Sequence, residues 1–300
     1  MDNFKSGFVA IIGRPNVGKS TLMNHLLGFK IAITSSKPQT TRKNIKTVLT
    51  DEERFQMVFV DTPGIHKAKT KLGEYMVDSI KGAVEDVDVI VWLVEPDEEI
   101  GKTDTRISTL LWSTDVPIIL VVNKIDKVTK ERLAQSVSEF SKLLDFADVV
   151  PLSAKNGTNC DELIEVIYKH LPEGPMYYEP DTLTDQTERS IVEEIIREKA
   201  LHALDEEVPH GIAVSVESMK KRDDKELWDI DANIFCEKDS HKGIIIGKNG
   251  DMLKKIGSNA RYEIEKTLDM HINLKLWVKV KKDWRNSESM VKKFGYKDGE

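Results

Sequence analysis

Cysteine is nearly absent from this chain of 300 residues: Cys160 and Cys236 stand alone and far apart. Two such residues make neither a disulfide framework nor a clustered metal site, and both read as small core residues of a protein kept reduced. Long apolar runs are missing as well. The longest, residues 87–94 and 116–122, have roughly half of the ~20 residues that a bilayer span requires. Met1-Asp2-Asn3-Phe4-Lys5 carries no apolar secretion segment, and no stretch is repetitive or of low complexity. The expectation is a cytoplasmic protein without an integral membrane segment.

What is present fits a soluble protein with a sizeable core: 40% hydrophobic and 32% charged residues. The length accommodates two domains. A net charge of −7 argues against a polyanionic partner for the chain taken whole. Yet residues 238–300 hold fifteen Lys and Arg against nine Asp and Glu, about +6, leaving about −13 for the rest. That split hints at an anion-binding end, and a solvated basic face would give the same count.

Through about residue 170, short apolar runs alternate with amphipathic stretches of helical length. The runs at 8–12, 55–60, 87–94, 117–122 and 149–152 are those of strands buried on both faces; residues 102–113 and 130–145 are among the helical stretches. The alternation predicts α/β architecture, a mostly parallel sheet with helices on both faces. Only four residues separate 45–50 from 55–60, too few for a crossover helix, so these form an antiparallel hairpin at one edge. Residues 171–180 contain three prolines, a glycine and two tyrosines and interrupt the pattern. The domains are therefore drawn at 1–172, a linker at 173–186, and 187–300. In the last, a helix at 188–204 precedes three period-two stretches, Ile212/Val214/Val216, Trp228/Ile230/Ala232/Ile234/Cys236 and Ile272/Leu274/Leu276/Val278/Val280. Two helical segments lie between the second and third. The order helix, strand, strand, helix, helix, strand predicts an α+β domain with helices on one face of a three-stranded sheet, ending in a C-terminal tail.

Gly13-Arg14-Pro15-Asn16-Val17-Gly18-Lys19-Ser20, followed by Thr21, matches G-x-x-x-x-G-K-[ST] between a strand and an amphipathic helix. Glycines let the backbone curl its N–H groups toward phosphate oxygens, and the helix N-terminus favours negative charge. Lys19 would reach the β- and γ-phosphates, and Ser20 would ligate Mg²⁺. An ATP-binding kinase or ATPase remains open at this point. Asp61-Thr62-Pro63-Gly64 follows the next strand: Asp61 can hold Mg²⁺ through water, and the Gly64 N–H can donate to the γ-phosphate. In the polar loop Pro38-Gln39-Thr40-Thr41-Arg42, Thr40 or Thr41 could add a hydroxyl to the metal when γ-phosphate is present, and Thr41 is favoured. Lys19, Thr41 and Gly64 are accordingly the candidate catalytic residues, and Ser20, Thr41 and Asp61 the candidate metal ligands.

Base selection falls to Asn123-Lys124-Ile125-Asp126. Asp126 can accept both the N1–H and the amino group of guanine. Adenine offers no such pair, and the mismatch would leave a carboxylate unpartnered. Asn123 can support the ring edge and hold neighbouring loops. In Ser153-Ala154-Lys155 the Ala154 N–H can meet guanine O6. The nucleotide is therefore GTP or GDP. Where many GTPases carry a water-orienting glutamine stands Ile65, and the adjacent His66 reads more simply as a surface residue. Slow hydrolysis through positioning and charge neutralisation follows, with Asn16 a candidate to help bind K⁺.

In the last domain Ile244-Ile245-Ile246-Gly247-Lys248-Asn249-Gly250 joins two helices through G-x-x-G. Glycines allow close approach to a sugar–phosphate chain, Lys248 contacts phosphate, and the isoleucines support a groove for bases, the KH signature for about four nucleotides of single strand. A helix C-cap and turn would look alike. The candidate RNA contacts are Ile245, Ile246, Gly247, Lys248, Asn249, Gly250, Lys254, Lys281 and Arg285, with Lys255, Arg261, Lys279 and Lys282 adding basic charge.

Taken together, GRPNVGKS, QTTR, DTPGIH, NKID, SAKNG and the C-terminal IIIGKNG resemble the Era family of bacterial GTPases over nearly the whole chain. The resemblance implies a P-loop GTPase domain with a type II KH domain, and a monomeric GTP-controlled factor for ribosome biogenesis. Its KH domain would grip the single-stranded 3′ end of small-subunit ribosomal RNA, and the protein would be cytoplasmic with peripheral attachment to the inner face of the cell membrane. Competing readings are a related GTPase of tRNA modification or metal-ion transport, an RNA-binding protein with a non-hydrolysing nucleotide site, and a P-loop kinase. The first would need an added domain or membrane helices. Lys19, Ser20, Asp61 and Asp126 speak against the second, and Asp126 against the third.

Overall fold

The uninterrupted apolar runs of the first half become strands of one six-stranded sheet in the computed structural model, which describes residues 4–28, 41–64, 70–96 and 99–296. In chain order the elements are β1 (Lys5–Gly13), α1 (Lys19–Leu27), β2 (Ile45–Asp51), β3 (Phe55–Asp61), α2 (Lys71–Glu85), β4 (Val89–Val94), α3 (Lys102–Leu111), β5 (Ile118–Val122), α4 (Lys130–Phe140), β6 (Asp148–Pro151) and α5 (Cys160–His170). The strand order is β2-β3-β1-β4-β5-β6. Only the β2–β3 hairpin is antiparallel, with β2 at the edge, as the short connection requires.

Alternation splits each central strand between two cores. Val9 and Ile11 pack with Leu22 and Met23 of α1 and Leu163 and Ile167 of α5. Ala10 and Ile12 pack with Ile80 of α2, Ile107 of α3 and Phe140 of α4. Helices on both faces explain why these strands read as continuous apolar runs. The helix expected to reach 145 stops at Phe140, whose ring meets Trp92 edge-on at 5.7 Å.

The expected linker is not a free connection. Gly174 N–H donates to Phe4 O (3.1 Å), Ser6 Oγ donates to Pro175 O (2.6 Å), and Val48 N–H donates to Leu183 O (2.9 Å). The buried Gln56 side chain accepts from both Tyr177 and Tyr178 N–H at 2.6 and 2.9 Å. Proline and glycine forbid regular structure here, but irregular backbone still docks through such bonds. The main body of the first compact unit therefore extends to Asp185, and that of the second begins at Gln186.

The second unit contains α6 (Glu188–Ala203), β7 (Ala213–Lys221), β8 (Trp228–Cys236), α7 (Asp239–Ile246), α8 (Asp251–Leu268), β9 (Ile272–Val280) and α9 (Glu288–Lys293). Its sheet runs β7-β8-β9, the first pair antiparallel and the second parallel. Thr187 caps α6 by accepting the Ser190 N–H at 3.2 Å. Ile230, Ala232 and Ile234 of β8 pack against Val192 and Ile196 of α6 and Ile256, Ala260 and Ile264 of α8. The end of the chain is not a loose tail through Tyr296. Trp284 is fully buried, its Nε1–H donating to Gly211 O at 2.8 Å, and Phe294 meets it edge-on at 5.1 Å and Phe235 at a tilt at 4.9 Å. No described helix is long and apolar enough to cross a membrane.

Candidate nucleotide site and nucleic-acid cleft

The carboxyl ends of β1 and β3 bring the phosphate-loop and metal candidates together. Lys19, at the first position of α1, is buried and donates from Nζ to Gly13 O (3.3 Å) and Arg14 O (3.2 Å). Burial pushes its ammonium down to about 8, against the pull of Asp61. Ser20 Oγ lies 3.2 Å from Thr41 Oγ1 and donates to Asp61 Oδ2 at 3.2 Å. Burial pushes the Asp61 carboxyl up to about 6, opposed by Lys19 and the Ser20 hydroxyl. Asp61 Oδ1 is buried with no hydrogen-bond partner among the described residues. Two hydroxyls beside an unmatched carboxylate oxygen are a donor set suited to a hard divalent cation.

Other members of the two motifs serve the scaffold. Thr62 Oγ1 donates to Ile11 O at 2.8 Å, tying the loop after β3 to β1. Arg14 turns away to Asp104 of α3, Nε to Oδ1 3.1 Å, and Asp104 also accepts the Gly101 N–H at 2.9 Å. Pro15 is half-buried, and a Cβ on Gly64 would come within 2.9 Å of its Cα, so the two loops touch. Asn16 is exposed at the mouth, Val17 buried and Thr21 half-buried. Thr40, Ile65 and His66 lie outside the described residues.

The base-selecting loop is wired directly to the phosphate loop. Asn123 Nδ2 donates to Val17 O (2.8 Å) while its Oδ1 accepts the Ala154 N–H (2.9 Å). Gly18 makes this approach possible: φ is 105°, and a Cβ there would sit 2.2 Å from Asn123 Nδ2. Lys124 donates to Asn16 O at 2.8 Å and pairs with the Glu95 carboxylate. Asp126 stands exposed and accepts from Ser153 Oγ at 2.6 Å, a bond that holds its carboxyl below the usual range. The Ala154 N–H expected at guanine O6 is already given to Asn123, and one N–H has one proton to give. The next donor on the turn, the Lys155 N–H, bonds nothing among the described residues and is the free one.

In the second unit α7 ends at Gly247, with φ 74°, where a Cβ would fall 2.7 Å from that of Met252. Lys248 and Asn249 stand exposed on the turn into α8, Ile245 is in the core and Ile246 half-buried. Beside this turn Gly250, Leu253, Lys254, Gly257, Ser258 and Arg261 of the α8 region face Leu274 and Leu276 of β9 across a cleft of about 390 Å³. Its floor is apolar and its rim basic. Neither Lys281 nor Arg285 lines it. Arg285 is instead paired with Glu237 Oε2 at 2.6 Å, because the chain after β9 turns back under Trp284.

A family model described as a 50S ribosome-binding GTPase matches residues 8–124, and a KH-domain model matches 207–285. The chain is 56% identical to GTPase Era of Clostridium acetobutylicum and 55% identical to that of Clostridium beijerinckii, each over 98% of both proteins. It belongs to the Era family of GTPases. Among solved structures, it matches Era in complex with MgGDPNP and nucleotides 1506–1542 of 16S ribosomal RNA, with TM-score 0.95, 40% identity, and coverage of 98% of this chain and 99% of that one. A tyrosine-to-alanine variant of Aquifex aeolicus Era bound to GDP and AlF₄⁻ matches with TM-score 0.94, also at 40% identity and with the same coverage.

Three residues of this Era-family site escaped the sequence. Glu95 and Asp104 act through Lys124 and Arg14 and belong to no motif, though an acid at the third position of α3 is a helix-start signal. Gly257 sits inside α8, where an isolated glycine marks close packing, here 3.4 Å from a would-be Cβ to Leu276.

Proposed function

We propose that this GTPase couples the state of its nucleotide to a grip on single-stranded RNA, the 3′ end of small-subunit ribosomal RNA, during assembly of the small ribosomal subunit. The observation that carries this reading is the match, over nearly the full length of both chains, to Era holding MgGDPNP and 16S nucleotides 1506–1542. The broad GTPase model is described by the 50S particle; the RNA held by the full-length relative is the more specific guide, and it favours the small subunit.

At the nucleotide site, GTP phosphate oxygens replace the carbonyls of Gly13 and Arg14 as acceptors for the Lys19 ammonium, and the N-terminus of α1 adds favourable potential. Ser20, Thr41 and Asp61 would hold Mg²⁺. When bound, Mg²⁺ held there would supply positive charge against the phosphate oxygens. Gly64, against Pro15, offers its N–H toward the γ-phosphate. Asp126 accepts from guanine N1 and the amino group, and Lys155 N–H meets O6. Asn16, exposed at the mouth, helps bind K⁺; equal hydrolysis rates in potassium and sodium salts would remove that role. A monomeric state and, from the family resemblance, peripheral membrane attachment are further expectations, which light scattering and cosedimentation with anionic vesicles test.

The central experiment measures binding of short RNAs to the full chain with GTP analogue, GDP or no nucleotide, comparing wild type with Gly247→Asp. Nucleotide-dependent affinity that collapses in the variant is expected. Affinity indifferent to nucleotide removes the coupling, and affinity indifferent to the substitution removes the cleft.

A further inference from the structure

β9 carries different chemistry on its two faces. Ile272, Leu274, Leu276, Val278 and Val280 turn toward the helices and core, with Leu274 and Leu276 flooring the cleft. On the opposite face Lys275, Trp277 and Lys279 are exposed, the indole by 59%. Lys281 continues that face: its N–H still bonds Cys236 O at 2.8 Å, prolonging the ladder past the strand's end. Three lysines and a tryptophan thus stand in one row, neighbours about 6.6 Å apart at strand rise.

The polar groups of the neighbouring strand are largely engaged with other partners: Asp229 holds Arg222 and Asn273, though it also attracts Lys275 at the start of the row. Asp231, opposite Lys275, accepts from Ser218 Oγ at 2.9 Å. Asn233, opposite Trp277, is engaged by Glu217. Phe235, opposite Lys279, is covered by Phe294. Lys275, Lys279 and Lys281 form no ion pair among the described residues. β9 is also an edge strand, so the cleft on one face and the row on the other share a free edge.

We propose that the Lys275–Trp277–Lys279–Lys281 row is a second contact for single-stranded RNA, reached by a strand that leaves the cleft and rounds the edge of β9. A base stacks on Trp277 and the phosphates on either side lie against the lysines. An aromatic platform between cations holds any base by its π-face and the backbone by charge. A protein partner fits less well, because lysine is depleted where protein surfaces meet. This inference rests on the reading that the cleft holds RNA. A KH cleft accommodates about four nucleotides, so the row matters only for longer strands.

The test uses the full chain with GTP analogue and fluorescence anisotropy of labelled single-stranded RNAs of five and twelve nucleotides. Trp277→Ala and the triple change Lys275→Gln, Lys279→Gln, Lys281→Gln should each weaken the twelve-mer about tenfold and leave the five-mer unchanged. Trp277→Phe should retain most of the affinity, and unchanged melting of all three variants shows that the fold is intact. Gly247→Asp should weaken both lengths. If the row variants bind the twelve-mer like wild type while Gly247→Asp does not, the second contact is refuted and the cleft stands. If no variant matters, both readings fall. Row variants that lose small subunits but keep the twelve-mer would assign the surface to a protein and overturn the proposal.

Discussion

A carboxylate buried with one oxygen unmatched costs stability, and Asp61 is one. Its folded-state value of about 6 stands above the ordinary 3.8. Folding therefore takes up a proton between these values, and stability falls as pH rises through that window. In EDTA and without nucleotide, Asp61→Asn should raise stability at pH 7 by about 3 kcal/mol, with the gain shrinking through that window and gone below about pH 4; chemical denaturation across pH measures it. The same variant should lose the thermal shift that GTP and Mg²⁺ give the wild type. At the other end of the pocket, Asp126→Asn should weaken GTP and favour xanthosine triphosphate, since the amide can no longer accept two guanine protons. Competition binding reads this, and an unchanged base preference refutes the assignment. Gly18→Ala should abolish nucleotide binding outright, because the methyl would occupy the place of the Asn123 amide.

Elements differ in how openly the sequence announces them. β1, β3, β4 and β5 were legible because burial on both faces leaves an unbroken apolar run, and the β2–β3 hairpin because four residues cannot make a crossover. The strands of the second unit were legible for the opposite reason, one wet face each. The segment after β9 was not: Trp284, Phe294 and Tyr296 follow no period, and only the fold shows that Phe294 and Tyr296 meet the Trp284 indole while Phe294 also meets Phe235. The pinned stretch 173–184 was equally silent, since one buried glutamine and irregular backbone bonds leave no pattern. Within the nucleotide site the motifs placed the groups that face the ligand, but not that Asn123 would take the Ala154 N–H, a choice made by loop geometry. The C-terminal cluster predicts its own consequence. Trp284→Ala removes a fully buried indole and its bond to Gly211 O and should destabilise the second unit by about 3–5 kcal/mol, visible as a lowered unfolding midpoint while GTP binding persists.

For the whole molecule, charge is distributed rather than summed. A net −7 would repel RNA, yet the cleft holds Lys254 and Arg261, the turn beside it exposes Lys248, and the outer row adds Lys275, Lys279 and Lys281. Neutralising single-strand phosphates releases counterions, with a log–log salt slope of about −0.7 per contact. A five-mer confined to the cleft should therefore show a slope of about −2, and a twelve-mer that also engages the row about −4. Equal slopes for both lengths would mean that one set of cations serves both. There is a hereditary corollary to a ribbon with two clients. Inserting a single residue in the turn before Ile272 would swing the indole and its cations inward and the leucines out to water, so both RNA-facing surfaces would vanish from one indel, and a lineage can tolerate drift in these side chains far more readily than a change in their count.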